Sequence, residues 1–207
     1  MLVFARAAWD ESLTADQANA WLVNKLCSSR PEAWRRYLAD RADIYRQVML
    51  MCDHDLDIYL DHRWLPQTTS EFGRRMAEIY AQAARLLAAA AARLAKSLDR
   101  PDIPERLKYI VQRETARALF ESAELSAMSS QQRAMNAYAK FLDTNSKVWR
   151  KAAMRWLHQS IADLAASRQR AIAFGFSENS WYLRNINRWL TNELQEHFLA
   201  KLLMPRK

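Results

Sequence analysis

The densest group of side chains able to do chemistry is Asp53-His54-Asp55-Leu56-Asp57, continued by Asp61 and His62. Asp53, Asp57 and Asp61 recur every four residues, which sets three carboxylates along one face of a helix. Three oxygen donors in such a row are suited to holding Mg²⁺. An enzyme on that plan needs a second acidic pair on a facing helix. The remaining acids do not supply one: Asp99 and Asp102 sit in a proline-bounded loop, and Asp143 and Asp163 stand alone. The simpler reading is a solvated acidic face that pairs with the basic remainder of the chain.

The Asp-x-x-x-Asp spacing at 53–61 resembles part of an isoprenyl-synthase motif, which implies a Mg²⁺-dependent enzyme as one alternative. Other catalytic plans fail on spacing. No Glu is followed three residues later by His, as a di-iron bundle requires; Glu193 to His197 misses that interval. The four histidines lie at 54, 62, 158 and 197, too scattered for a zinc site. Only two glycines occur, Gly73 and Gly175, so no phosphate-cradling loop and no Gly-x-Ser-x-Gly elbow can be built. The chain therefore reads as non-enzymatic and without a cofactor, and Asp53, Asp57 and Asp61 are its metal-ligand candidates.

The cations are better organised. Residues 1–66 carry 8 Lys and Arg against 10 Asp and Glu, whereas residues 67–207 carry 23 against 13. Arg supplies 23 of the 31 cations, and its planar fork suits phosphate and aromatic faces better than the Lys point charge does. Lys147, Lys151 and Arg155 recur every four residues, with Arg150 beside them. Trp149, Ala153, Trp156, Leu157, Ile161 and Leu164 form the opposite, apolar stripe. Cations spaced by one helical turn, roughly 6 Å, match the pitch of charge on a polyanion backbone. Arg106, Arg113 and Arg117 make a second row, diluted by Glu114 and Glu121; Arg85, Arg93, Lys96 and Arg100 make a third. Rows on adjacent helices that merged would form a groove for nucleic-acid backbone, RNA or DNA, without base specificity. The bland alternative is ordinary solvated helix faces.

These side chains must be positioned by helices, because strand signals are absent. Thr14 with Gln17 is a capping-box pattern opening a helix over about 15–27. Pro31 and Glu32 suit the first turn of a second helix with no breaker before Pro66. Thr68 with Glu71 opens a third over about 69–98, where Phe72, Met76, Ile79, Tyr80, Ala83, Leu87, Ala90 and Leu94 form one stripe. The alanines at 88–92 permit close approach of a neighbour. The stretch 99–104 breaks the chain, and Asp102 can cap a fourth helix with Pro104 and Glu105 in its first turn. That helix reaches about residue 125, and the serine cluster at 126–130 either bends it or separates it from a segment ending near 142. Asn145 or Ser146 caps a helix over about 147–174, closed by Gly175 in the left-handed conformation. Ser177 caps the last helix, about 178–203, whose broad apolar face with Trp181, Trp189 and Phe198 is either core or a partner-docking arm. No internal repeat of fixed period is found.

The run LLAAAAARLAKSLDRPDIPERLKYIVQRETARALFESAELSAMSSQQRAMNAYAKF, within residues 86–149, resembles phasins, the coat proteins of polyhydroxyalkanoate granules. The likeness lies in an Ala-rich helix, an Asp/Pro break and a long Gln/Glu/Ala helix. It implies a non-enzymatic coat on a hydrophobic granule or lipid surface, with no catalytic residues.

Together these features predict an all-α bundle of six to seven mostly long antiparallel helices. The chain reads as a single helical domain over 1–207, with a sub-boundary available at 99–104 between a slightly acidic part and a basic part. Cys27 and Cys52 are too few for a disulfide scaffold and read as buried thiols in a reducing compartment. The start has no secretory-signal design, and the apolar stretch 86–95 is interrupted by Arg93 and too short to span a bilayer. The expectation is a cytoplasmic, non-catalytic subunit of a larger assembly, partnered by nucleic acid and protein subunits, with homo-oligomerisation open.

Overall fold

The computed structural model describes residues 31–52, 70–98, 104–188 and 190, with a few helical or capping positions between Thr14 and Asn24. Five helices follow one another: α1 (Pro31–Cys52), α2 (Ser70–Ala95, closed by a 3-10 turn over Lys96–Leu98), α3 (Glu105–Thr144), α4 (Lys147–Phe174) and α5 (Trp181–Arg188). No strand occurs among the described residues, so the protein is all-α. No described helix is long and apolar enough to cross a membrane. Asp53, Asp57 and Asp61, Cys27 and the expected helix beyond residue 190 lie outside the described residues.

Among the described residues five helices are delimited, against the six to seven expected for the whole chain, and α3 accounts for part of the difference. It runs unbroken for 40 residues, through the serine cluster that was expected to bend or end it. Serine disfavours a helix interior when its hydroxyl competes for local backbone. Here the hydroxyls go elsewhere. Ser122 and Ser129 donate to the Ala84 and Ala77 carbonyls of α2, at 2.8 and 2.7 Å, and Ser126 donates to Asp163 of α4 at 2.8 Å.

The same bonds define the packing. On the other side of α3, Ser160 and Ser167 of α4 donate to the Ala127 and Phe120 carbonyls at 2.9 and 3.0 Å. In both seams the donor steps seven residues forward as the acceptor steps seven back, so α2, α3 and α4 run antiparallel in sequence. A two-turn spacing of small contact residues keeps one face of each helix on its neighbour under a slight left-handed twist. At three of the four contacts both residues are Ala or Ser, which lets the backbones approach closely enough for these bonds; the fourth acceptor is Phe120.

Because α3 is covered on two sides, it contributes to two cores. Leu107, Val111, Ala118, Leu125 and Met128 join Trp34, Tyr37, Ile44 and Val48 of α1 and Met76, Tyr80, Leu87 and Leu94 of α2. Phe120, Ala127, Ala134 and Met135 join Ala153, Leu157 and Leu164 of α4 and Leu183 and Ile186 of α5. Helix α1 is also tied to α3 through Arg41, which ion-pairs with Glu114 and Glu121 at 3.1 and 2.8 Å. Burial pulls the Arg41 guanidinium down, but Glu121, Tyr37, Tyr45 and Glu114 more than restore it, so its pKa stays above the ordinary value.

The chain reversals follow local chemistry. Thr14 and Gln17 form the reciprocal capping box, at 2.9 and 3.2 Å. Asn145 takes the left-handed conformation (φ 52°) that ends α3, and Ser146 then caps α4 by accepting from the Val148 amide at 3.3 Å. Gly175 ends α4 at φ 106°, as expected. Two caps differ from expectation. Pro104 occupies the position preceding α3, with no side-chain cap, and Asp102 lies outside the described residues. Ser180, rather than Ser177, caps α5 by accepting from the Leu183 amide at 3.3 Å, because a turn over Ser177–Ser180 intervenes.

Candidate nucleic-acid interface

Helix α4 opens at Ser146 and presents Lys147, Lys151 and Arg155 to solvent, one turn apart, with Arg150 half-buried beside them. The stripe behind them is core in part only. Ala153, Leu157 and Leu164 are buried, whereas Trp149, Trp156 and Ile161 are half-buried.

The two tryptophans meet cations from α3. Lys140 places Nζ 4.4 Å from the Trp149 ring centre, and Arg133 places its guanidinium 4.7 Å from the Trp156 ring centre. Arg155 lies 4.9 Å from the same Trp156 ring. Arg133 and Lys140 are seven apart on α3, as Trp149 and Trp156 are on α4, so the pairs repeat in the antiparallel register of the serine bonds. Together with Arg74, Ala77 and Glu78 of α2 and Asn136 of α3, they wall an open groove of about 340 Å³. Glu78 is its one carboxylate and pairs with Arg74 at 2.7 Å. The groove is therefore positive and aromatic at once.

The second row is placed elsewhere and used differently. Arg113 donates to the Tyr109 hydroxyl at 2.8 Å and lies 4.5 Å from the Phe174 ring, where it also reaches the Phe174 carbonyl at the end of α4. A cation at that place complements the negative end of the helix dipole. Arg117 pairs with Glu121 at 2.9 Å. The side chain of Arg106 is outside the described set. Arg113 sits beside the last turn of α4 and Lys147 begins its first, a separation of about 40 Å at 1.5 Å per residue. The rows on α3 and α4 do not share one groove. In the third row, Arg93 pairs with Asp40 at 2.6 Å, while Arg85 and Lys96 are exposed.

Among the described residues, no group of three or more His, Cys, Asp or Glu is placed to hold a metal ion. Among the described residues the large apolar side chains most open to solvent are Leu86, Tyr109, Leu142 and Val148, distributed over α2, α3 and α4. Of the expected docking arm, Leu183 and Ile186 are buried in the α3–α4 core, and the side chains of Trp181, Trp189 and Phe198 are outside the described set.

Arg133 and Lys140 are functional candidates that the sequence reading missed. Their signal was the seven-residue spacing of cations on one helix and of tryptophans on the next. Compared with protein-family models, curated proteins and solved structures, the chain matches none.

Proposed function

We propose that this protein is a non-catalytic helical subunit that holds nucleic-acid backbone, without base specificity, through Lys147, Arg150, Lys151 and Arg155. One observation carries the reading. Lys147, Lys151 and Arg155 are exposed, and no carboxylate pairs with them among the described residues, whereas Arg41, Arg93, Arg117 and Arg168 each have at least one. A cation neutralised within the fold has little left to offer a phosphate. Three free ones at helical pitch can each displace a condensed counterion, and that release drives binding. Arg113 and Arg117 serve the fold, so the α4 set carries the proposal.

The test is fluorescence polarisation of labelled nucleic acid at several salt concentrations. Replacing Lys147, Lys151 or Arg155 by Gln lowers the slope of log affinity against log salt by about 1 each. Replacing all four α4 cations by Glu abolishes binding at low salt while helicity stays unchanged. Undiminished affinity in that folded variant overturns the reading.

A further inference from the structure

We infer that the groove walled by Trp149 and Trp156 is a stacking site for unpaired bases, so that the interface selects single-stranded nucleic acid over duplex. This rests on the reading of α4 as a backbone-binding surface and adds what the neighbouring groove does for it.

Three observations lead there. First, two indoles stand seven residues apart on the same side of α4, about 10 Å along its axis, and both line the open groove. That interval is bridged by a few nucleotides of an extended strand. Second, the groove supplies charge as well as ring faces: Arg133 and Lys140 lie over the two rings, and Glu78 is already neutralised by Arg74. Third, Arg155 lies 4.9 Å from the Trp156 ring, so the exposed cation row of α4 meets the groove at that indole.

An unpaired nucleotide matches both components. Its base offers a π-face to an indole, and its phosphate offers an anion to the cation that rested on that indole. A cation over a solvent-accessible ring is a weak contact, so the exchange gives up little. In a duplex the base faces are covered by neighbouring pairs, and only groove edges and phosphates remain accessible. Duplex therefore gains from the cations alone, whereas a single strand gains from cations and rings. The groove volume of about 340 Å³ suits a base inserted edgewise and not a double helix.

The experiment compares three probes of equal length on the full chain by fluorescence polarisation: an oligothymidylate, the same sugar–phosphate strand without bases, and a duplex. The oligothymidylate binds at least tenfold tighter than the baseless strand, in line with the gain from stacking one or more bases on aromatic rings. The Trp149→Leu/Trp156→Leu variant reduces the oligothymidylate to the affinity of the baseless strand, and Trp149→Phe/Trp156→Phe, which keeps ring faces and bulk, restores the preference. Equal affinity for the strand with and without bases overturns the inference and leaves the backbone reading standing, as does a preference that survives in the Leu variant. Failure of all three probes to bind at low salt overturns both.

Discussion

Arg41 of α1 places Nη2 2.8 Å from both carboxylate oxygens of Glu121 on α3, while its Nη1 reaches Glu114, two turns away on the same helix, at 3.1 Å. One guanidinium thus spans two carboxylates seven residues apart. The groups are largely withdrawn from water, with side-chain exposures of 15% for Arg41, 13% for Glu121 and 27% for Glu114. Forming such a cluster contributes little net stability, because desolvation offsets attraction; removing one partner leaves charge stranded and is costly.

Arg41→Leu should therefore destabilise the protein by about 3 kcal/mol, read as a lower urea midpoint. Arg117 pairs with the same Glu121 but is 46% exposed, and Arg117→Leu should cost less than about 1 kcal/mol. Equal costs for the two variants would show that burial of the cluster is not what holds α1 to α3.

The tyrosines around Arg41 give the fold an alkaline limit. Burial pushes the Tyr37 phenol up to about 12, with Arg41 opposing and Glu114 and Glu121 adding to the rise. Tyr45 is raised for the same leading reason, supported by Glu121. A phenol that holds its proton more tightly when folded contributes its full stability below the unfolded value, about 10. That contribution falls away as pH climbs through the folded value. Urea unfolding should show stability dropping between pH 10 and about 12, and Tyr37→Phe should flatten the drop. A Phe variant with the same slope as the parent would remove Tyr37 from the cause.

What could be read from the sequence divides by distance along the chain. The Thr14–Gln17 box, the Ser146 cap and the Gly175 turn are settled by contacts within a few residues, so local pattern sufficed. The serine cluster at 126–130 was misjudged because the acceptors that hold α3 straight, Ala77 on α2 and Asp163 on α4, are 52 and 37 residues away. The candidate site divides in the same way. That Lys147, Lys151 and Arg155 stand exposed one turn apart follows from their spacing alone. The Arg117–Glu121 pair is likewise local, one turn apart, whereas the seating of Arg113 on Phe174 and of Lys140 and Arg133 on Trp149 and Trp156 depends on the register of α3 against α4.

Gly73 shows how closely α2 meets α3. A Cβ added there would lie 2.3 Å from Asn136 Oδ1 and 2.9 Å from Nδ2, so the amide must move before Ala fits. Against that, Ala favours a helix over Gly by about 1 kcal/mol. Gly73→Ala should thus destabilise the parent by about 1 kcal/mol, once the steric clash outweighs propensity, yet stabilise an Asn136→Ala background by up to about 1 kcal/mol. The test is the sign change in a double-mutant cycle followed by thermal and urea unfolding. The same sign in both backgrounds would mean that Asn136 is not the obstacle.

Thr115 exposes a fault in an otherwise regular seam. The bonds Ser129 to Ala77 and Ser122 to Ala84 extrapolate, one step of seven residues further, to Thr115 opposite Ala91. The third bond is not made: Thr115 Oγ1 is buried and meets no partner among the described residues. A buried hydroxyl without a partner is a liability, whereas one that donates across a seam contributes about 1 kcal/mol. Thr115→Val keeps the shape and discards the orphan, and should be neutral or stabilising by up to about 1 kcal/mol. Ser160→Ala and Ser167→Ala remove hydroxyls that do reach carbonyls, at positions with 0% exposure. Each should lower stability by about 0.5–1 kcal/mol, even though Ala is the better helix former. Opposite signs at chemically similar positions in the α2–α3 and α3–α4 seams would tie the stability of such seams to bonds made rather than to hydroxyl content. A Thr115→Val loss matching that of Ser160→Ala would mean that Thr115 has a partner after all, and that the seven-residue register continues to the end of α2.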